Sequence, residues 1–442
     1  MTARGAIEKY LEHYSVGDRW KIAVESLDGI DNVVVIPALA ESDHIFKTLS
    51  SLSENPPSEL FRTLVVVVIN NGSADIVSPD NFADNQYTLK VLSNREPWPV
   101  VYDDVRQNGL RVAYVDASSH GLELPDKTAG VGYARKIGMD LALEVFDYGK
   151  ECPKLLFCLD SDTLVERNYL EAVRDSFEKG TFASSVIAFA HQDAESVDEQ
   201  AAICCYEIFL RYYVLALRWA GSPYAFHSIG STMACTATAY AGVRGMNKRK
   251  AGEDFYFLDK LAKTGRMGRI NTTTVYPASR RSARVPFGTG KRIISFTENH
   301  EKYYTLFNLE TFSVLKKWLA YITSAPDTDP EIVLAQAKRI HPSLDMFLRM
   351  NHFDRTWSRL VENSGDIVHL RDHVSRWFDG FKTFKLIRYL TNNGLPPAYM
   401  FDALKEVMDM MGKELPVRVE PGSVPPIRDM MHILDRLREI DR

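Results

Sequence analysis

The sequence is short of the features that mark disulfide-bonded or exported proteins. It has five cysteines among 442 residues, an odd number without any Cys-x-x-Cys spacing. This pattern disfavours both a disulfide framework and a structural zinc site. The first thirty residues carry charges every few positions and lack the apolar core of a signal peptide. Together these absences predict a reducing, cytoplasmic location.

The sequence also lacks a long hydrophobic run that is free of charge. The most apolar stretch, residues 201–221, contains Glu207, Arg211 and Arg218. A membrane-spanning helix of about 20 residues would bury these charges at a high cost in free energy. We therefore expect a core helix here and no transmembrane segment, with peripheral membrane contact as the alternative interpretation.

Neither sign of charge dominates the composition. Lys and Arg number 53 against 58 Asp and Glu, the formal net charge is −5, and hydrophobic residues make up 45% of the chain. Such values are ordinary for globular proteins, and they disfavour both intrinsic disorder and a nucleic-acid partner. The length predicts about two or three domains.

Short β-branched runs alternate with helical patterns between residues 31 and 300. Residues 32–39 and 64–70 are continuous apolar runs typical of strands buried on both faces, and residues 44–52 between them have helical spacing. Further strands are expected at 101–104, 111–117 and 154–160, with a helix over 129–149. This alternation predicts an α/β fold with a mostly parallel sheet and helices on both faces.

Beyond residue 300 the pattern changes to helices alone. Apolar residues recur three or four positions apart, and Pro, Gly or Asp residues separate the segments. We therefore predict an N-terminal helical extension (1–30), an α/β domain (31–300) and an all-helical C-terminal domain (301–442).

Two carboxylates follow one of the predicted buried strands. Asp160 and Asp162 lie where that strand ends, and open α/β sheets bind their ligands beyond the carboxyl ends of strands. Oxygen ligands of this kind suit Mg²⁺ or Mn²⁺, which complete their coordination with water and substrate phosphates. The alternative is that both residues only cap the next helix.

A second acidic pair, Glu253 and Asp254, follows Gly252 and precedes a helical pattern. Carboxylates in the first turn of a helix are kept ionised by the helix dipole, and a general base must be ionised before it accepts a proton. Ordinary helix capping explains the same pair equally well.

Together these segments resemble the inverting, non-processive glycosyltransferases of family two, which have the GT-A fold. VVVIPALAES is similar to the family's first strand and loop, and VVVVINNGSAD to its next conserved segment, with Asn70 and Asn71 where aspartates are common. GVGYARKIG, LLFCLDSDTLVERNYLEAV and KAGEDFYFLDKL are similar to the arginine-containing, metal-binding and acceptor-side segments. The resemblance covers residues 31–275.

The resemblance implies a nucleotide-diphosphate sugar donor, a Mn²⁺ or Mg²⁺ cofactor and an acceptor hydroxyl of unknown identity. Asp254 matches the general base, Glu253 its acceptor-orienting neighbour, and Asp162 with Asp160 the metal ligands. Donor-binding positions are implied at Pro37, Ala38, Glu41, Asn71, Arg135 and Asp160.

Residues 276–292 collect basic side chains around two glycines. Arg281 and Arg284 in this segment are predicted to close over the diphosphate, exclude water and stabilise the leaving group. A solvated surface loop is the alternative.

Three other functions remain open. A retaining GT-A transferase would give His227 or His300 a role as an extra metal ligand, and a sugar-phosphate nucleotidyltransferase can use a similar sheet and acidic site. A catalytically inactive binding or scaffold protein of the same fold is the third, and Asn70 and Asn71 give it some support.

Overall fold

The structure is a computed structural model that describes residues 3–24, 28–281, 289–298, 304–324 and 329–442. Contacts within the chain divide it into two compact units. The first unit comprises Met1–Asp193, Ser228–Ser279 and Arg284–Phe287. The second comprises Ala194–His227, Arg280–Ala283 and Gly288–Arg442.

The first unit is built on a single sheet. Its strands are β1 (Asn32–Ala38), β2 (Thr63–Asn70), β3 (Arg111–Ala117), β4 (Leu155–Cys158), β5 (Leu164–Val165), β6 (Ser184–Phe189), β7 (Met233–Thr236) and β8 (Met267–Tyr276). Their order in the sheet is β3-β2-β1-β4-β7-β6-β8-β5. Strands β3, β2, β1 and β4 are mutually parallel, β6 is parallel to β8, and β5 and β7 are antiparallel to their neighbours.

Helices cover the sheet of the first unit. They are α1 (Ala3–Tyr14), α2 (Ser42–Ser53), α3 (Pro57–Phe61), α4 (Pro79–Leu92), α5 (Asp104–Gln107), α6 (Val131–Val145), α7 (Tyr169–Lys179), α9 (Ala237–Gly242) and α10 (Glu253–Ala262). Helix α8, which comes between α7 and α9 in the chain, belongs to the second unit. The chain crosses from β1 through β2 to β3 in one direction, and then returns through α6 to β4. Because such crossovers are right-handed, α2 and α4 lie on one face and α6 on the other. The predicted α/β class, with a mostly parallel sheet and helices on both faces, is confirmed.

Strands β1 and β2 form because their residues are apolar, largely β-branched and buried on both faces. Every residue of both strands is buried, as expected for the centre of a parallel sheet. Gly138 lets α6 lie close to them, since a Cβ there would stand 2.9 Å from a methyl group of Val68 and closer still to Val35.

The strand predicted at residues 101–104 is wrong. A 3₁₀ helix spans Val100–Tyr102 and leads into α5. The rings of Trp98 and Tyr102 contact the ring of Phe46 in α2, while Val100 and Val101 between them are exposed. A run of three apolar residues after a proline was too short to distinguish the two outcomes.

The second unit is helical, which confirms the predicted C-terminal helical module. Its helices are α8 (Val197–Trp219), α11 (Thr289–Glu298), α12 (Leu309–Thr323), α13 (Pro330–Ile340), α14 (Pro342–Met350), α15 (Phe353–Glu362), α16 (Ile367–Trp377), α17 (Gly380–Asn392), α18 (Met400–Met410) and α19 (Ile427–Asp441). Two short antiparallel strands, β9 (Thr305–Leu306) and β10 (Ala398–Tyr399), were not predicted. Trp318 and Trp357 are fully buried in its core.

The predicted domain boundary at residue 300 stays a prediction, and the contacts group two helices, α8 and α11, differently. Helix α8 belongs to the second unit, where it packs against α11, α12, α18 and α19. Within the described part of the chain it is the one helix long and apolar enough to cross a membrane, and 67% of that window is buried inside the structure. Periodicity identified the helix but not the helices that cover it.

Candidate active site

The strand order creates a switch point between β1 and β4. From β1 the chain moves outward through β2 and β3, and it returns to the other side of β1 as β4. Open α/β sheets bind ligands in the crevice beyond the carboxyl ends of the two strands at such a point. Glu41 follows β1 and Asp160 follows β4, so both lie at this edge of the sheet, which we call the rim.

Pro37 ends the hydrogen bonding between β1 and β4 at the rim. The last ladder bond towards β4 runs from the Leu159 N–H to the Val35 carbonyl, at 3.1 Å. Pro37 lies two residues beyond Val35 and faces the same side, where its ring nitrogen has no hydrogen to donate. Pairing with β2 continues as far as Ala38 and Ile69. Strands β1 and β4 therefore separate at the rim, whereas β1 and β2 stay paired there.

Arg135 joins the two acidic motifs. It lies in the second turn of α6, is 2% exposed, and donates from Nη1 to Glu253 and from Nη2 to Asp160. The Oδ2 atom of Asp160 accepts a bond of 2.6 Å from Ser231, whose hydroxyl also lies 3.0 Å from that of Thr163. Side chains from α6, from the end of β4, from the turn before β7 and from the start of α10 thus meet at one place.

Charge within this group is unbalanced, because one guanidinium faces several carboxylates. Burial raises the pKa of Glu253 to about 7, against the lowering effect of Arg135, and Asp254 and Asp160 raise it further. Burial also raises the pKa of Asp254, and Arg135 partly offsets that increase. A raised pKa makes a carboxylate a better proton acceptor near neutral pH.

The two residues of the second acidic pair differ in access. Glu253 is 3% exposed and is held by Arg135. Asp254 is partly exposed, and its Oδ1 accepts a bond of 2.7 Å from the Phe255 N–H. Of the two residues, Asp254 is the more exposed.

The metal ligands suggested by the sequence are present as a pair of oxygen donors. Asp160 and Asp162 are both partly exposed at the rim. Among residues that the structure describes, no group of three or more His, Cys, Asp or Glu is arranged to hold a metal ion. Hard divalent ions are often held by one or two carboxylates together with substrate phosphates. The excess negative charge around Arg135 also favours a cation, so this pair fits Mn²⁺ or Mg²⁺ bound with a diphosphate.

The loop after β1 is fixed by one asparagine of α4. Ala40 has a φ of 52°, a left-handed conformation that residues with a Cβ rarely adopt, and its N–H donates to Asn85 at 2.8 Å. Asn85 donates in turn to the side chain of Asn71 at 2.9 Å. Glu41, 7% exposed, immediately precedes α2. The loop is therefore tied to the end of β2.

Asn71 is used inside the chain. Its amide donates to the carbonyls of Gly72, at 2.7 Å, and Ser118, at 3.1 Å, while its oxygen accepts from Asn85. Both amide hydrogens are thus engaged, and they are not available to a nucleotide base in this structure. The Asn71 side chain thus links the loops after β2 and β3, and its contact with the donor stays a prediction.

Two predicted residues belong to the second unit, and two others lie outside the part of the chain that the structure describes. Arg281 belongs to the second unit, where its guanidinium pairs with Glu199 at 2.8 Å. His227 also lies in the second unit and contacts Asp441 at 2.5 Å. Arg284 and His300 fall outside the described residues.

Sequence reasoning missed two features of the site. Ser231 meets Asp160 because β7 runs antiparallel to β4, so the start of β7 reaches the rim, and strand direction is not visible in the sequence. The exposed cations Lys248, Arg249 and Lys250 form a loop packed on the first turn of α6. A Cβ on Gly132 would lie 2.6 Å from the Arg249 carbonyl oxygen, so the loop fits only over glycine. The run of three basic residues just before Glu253 was the available signal.

Comparison with known proteins gives likenesses of fold only. No protein-family model matches the chain, and no curated protein matches it. Among solved structures, TarS (1–349) of S. aureus is 13% identical, with a TM-score of 0.37, and the match covers 79% of this chain and 91% of that one. The mannosyltransferase PcManGT of Pyrobaculum calidifontis, in complex with GDP-Man and Mn²⁺, is 15% identical, with a TM-score of 0.37 and coverage of 84% and 94%.

A third match is GalNAc-T7 in complex with UDP, GalNAc and Mn²⁺, at 13% identity and a TM-score of 0.32, which covers 57% of this chain and 45% of that chain. These neighbours are glycosyltransferases. Likenesses with such TM-scores assign no donor, metal or acceptor to this chain.

Proposed function

We propose that this protein is a metal-dependent glycosyltransferase that moves one sugar from a nucleotide-diphosphate sugar to an acceptor hydroxyl with inversion. The observation that carries the proposal is the meeting of Asp160, Arg135 and Glu253 at the switch point of the sheet, with Asp254 beside them. A carboxylate pair for a cation and a separate carboxylate for a proton thus share one edge of the sheet.

Asp254 acts as the general base. Its carboxylate takes the proton of the acceptor hydroxyl while that oxygen bonds to the anomeric carbon of the donor sugar. The bond from the anomeric carbon to the diphosphate oxygen breaks, and the nucleoside diphosphate leaves with the electron pair. A single displacement of this kind inverts the anomeric configuration. The raised pKa of Asp254, caused first by its burial, supports this role.

Asp162, with Asp160, would hold Mn²⁺ or Mg²⁺, which supplies positive charge to the departing diphosphate. The exposed cations Lys248, Arg249 and Lys250 are further candidates for contact with the phosphates, and Arg249 is already oriented by stacking 3.7 Å from the ring centre of Tyr256. Pro37, Ala38 and Glu41 would contribute the donor-side wall of the crevice.

The proposal is tested by incubating the full chain with UDP-, GDP- and dTDP-sugars in the presence of Mn²⁺. We expect release of a nucleoside diphosphate from at least one donor, and loss of that release on chelation. Release of pyrophosphate from a nucleoside triphosphate and a sugar phosphate would indicate a nucleotidyltransferase instead. A product of unchanged anomeric configuration by NMR would indicate a retaining enzyme. Failure to bind or turn over any donor would favour a scaffold.

A further inference from the structure

Arg135 is placed differently from a residue that binds a phosphate directly. Both of its terminal nitrogens donate to carboxylates of the chain, and its side chain is 2% exposed. Gly230 packs against the guanidinium so closely that a Cβ there would overlap it. The guanidinium therefore has no open face to offer to a ligand.

The two carboxylates that Arg135 joins come from distant parts of the sequence. Asp160 is 25 residues away and Glu253 is 118 residues away. Asp160 belongs to the metal and donor side of the proposed site, and Glu253 opens the helix that carries Asp254. No hydrogen bond between Asp160 and Glu253 is present in the described structure, so Arg135 is the link between them.

We infer that Arg135 is a positioning residue that holds the donor-side carboxylate Asp160 and the base-bearing start of α10 in one geometry, without itself contacting the donor. This inference rests on the proposed function. It predicts that loss of Arg135 slows the chemical step while leaving nucleotide binding nearly unchanged.

Physical reasons favour a large kinetic effect. Removal of Arg135 leaves Asp160 and Glu253 without the cation that lies between them, and the two carboxylates then repel each other. Burial and the neighbouring carboxylates raise the pKa of Glu253 to about 7 even with Arg135 present. Displacement of a reacting group by about 1 Å is enough to reduce turnover about 100-fold.

The test uses Arg135→Met and Arg135→Lys in the full chain. The lysine variant keeps the charge but cannot bridge two carboxylates as the planar guanidinium does. We expect kcat for nucleoside diphosphate release to fall roughly 100-fold in the methionine variant and by a smaller factor in the lysine variant. The Kd of UDP or GDP with Mn²⁺, measured by calorimetry, should change little in both.

Lys154→Met is the matched control. Lys154 is also buried, at 7% exposure, and pairs with Asp31 at 2.8 Å, but it precedes β4 and lies at the opposite end of the strand from Asp160. The Lys154→Met variant should have a lower free energy of unfolding without a comparable loss of kcat.

An equal loss of kcat in Lys154→Met would reduce Arg135 to a general structural role. A large increase in nucleotide Kd with unchanged kcat in Arg135→Met would make Arg135 a donor ligand. Either result overturns the inference.

A double-mutant cycle separates this inference from the proposed function. Arg135→Met and Glu253→Gln should have strongly non-additive effects on urea unfolding and on kcat, because the two residues act through one contact. Additive effects would overturn the inference. If the wild-type protein releases no nucleoside diphosphate from any donor, the proposed function fails, and the unfolding cycle still decides whether Arg135 links the two acidic motifs.

Discussion

Each unit contains a buried ionic group, and the two groups differ in charge balance. In the rim cluster (Arg135, Asp160, Glu253 and Asp254), carboxylates outnumber the single cation. In the α8–α19 network of the second unit, Glu207 and Asp441 face three arginines and His227. The members of that network are Glu207, Arg211, Arg218, His227, Arg438 and Asp441.

The imbalance shows in the direction of the pKa shifts. Burial alone would raise the pKa of Asp441, but His227, Arg211 and Arg218 outweigh it and hold that pKa well below its usual range. At the rim, burial and like charges win, so the pKa of Glu253 is raised to about 7. A network in which cations surround each carboxylate stabilises two helices, whereas a cluster with an excess of carboxylates is suited to binding a cation and accepting a proton.

The largest expected effect breaks the rim cluster at Asp254, the proposed general base. Asp254→Asn should lower kcat roughly 10²–10⁴-fold, because positioned general-base catalysis contributes that much. Nucleotide binding should remain close to that of the wild type, as measured by calorimetry. Asp409→Asn, at an exposed ion pair of α18, is the control and should keep full activity. Near-normal turnover of Asp254→Asn would remove Asp254 from the role of base.

The next effect breaks the α8–α19 network. Asp441→Asn should cost about 3–5 kcal/mol in the free energy of unfolding, since it leaves buried cations without their partner. Urea denaturation of the variant measures this loss, and Asp435→Asn on the same helix, whose carboxylate is 63% exposed, should lose far less. Equal losses in the two variants would contradict a stabilising role for the buried pair.

A pH series sharpens the contrast between the two groups. The folded pKa of Glu253, about 7, lies above its ordinary value of 4.5, so the folded state retains a proton that the unfolded state has lost between these values. The contribution of Glu253 to stability therefore falls as pH rises from about 4.5 to 7, by roughly 1–3 kcal/mol. Asp441, with a lowered pKa, contributes no slope in this window and loses its stabilising effect only below about pH 4.

Urea midpoints at several pH values test this difference. Glu253→Gln should flatten the decline in stability between pH 5 and pH 8, whereas Asp435→Asn should leave the decline as it is in the wild type. Parallel curves for the wild type and Glu253→Gln would show that Glu253 does not hold its proton in the folded state.

The smallest effect concerns the loop that borders the crevice. Ala40→Gly should stabilise the first unit by about 0.5–1 kcal/mol, because glycine adopts a φ of 52° without the steric cost of a Cβ. The opposite sign is expected for Ala172→Gly inside α7, where glycine costs about 1 kcal/mol. A loss of stability in Ala40→Gly would mean that the turn is not strained.

The sequence identified the central strands and the two acidic motifs because each depends on local pattern. Continuous β-branched runs indicated β1 and β2, and position after a buried strand singled out Asp160. Local pattern could not show that Arg135 is enclosed between two carboxylates, since that depends on Gly230 and on the direction of β7. It also could not show that the side-chain amide of Asn71 donates both of its hydrogens to the carbonyls of Ser118 and Gly72.

The boundary between the units illustrates the same limit. Helix α8 was recognised from its apolar composition, but the residues that pair with its buried charges come from α19, more than two hundred positions away along the chain. Charge pairing at that distance has no signature in a single sequence.

Calorimetric titration of UDP and GDP, with and without Mn²⁺, tests the central claim most directly when the wild type is compared with Asp162→Asn. The account predicts that one nucleoside diphosphate binds the wild type in a Mn²⁺-dependent manner. The substitution should reduce that metal-supported affinity by at least roughly 10–100-fold, the range lost when contacts that only support metal ligands are removed. An unchanged Mn²⁺ dependence in Asp162→Asn, or no nucleotide binding by the wild type, would contradict it.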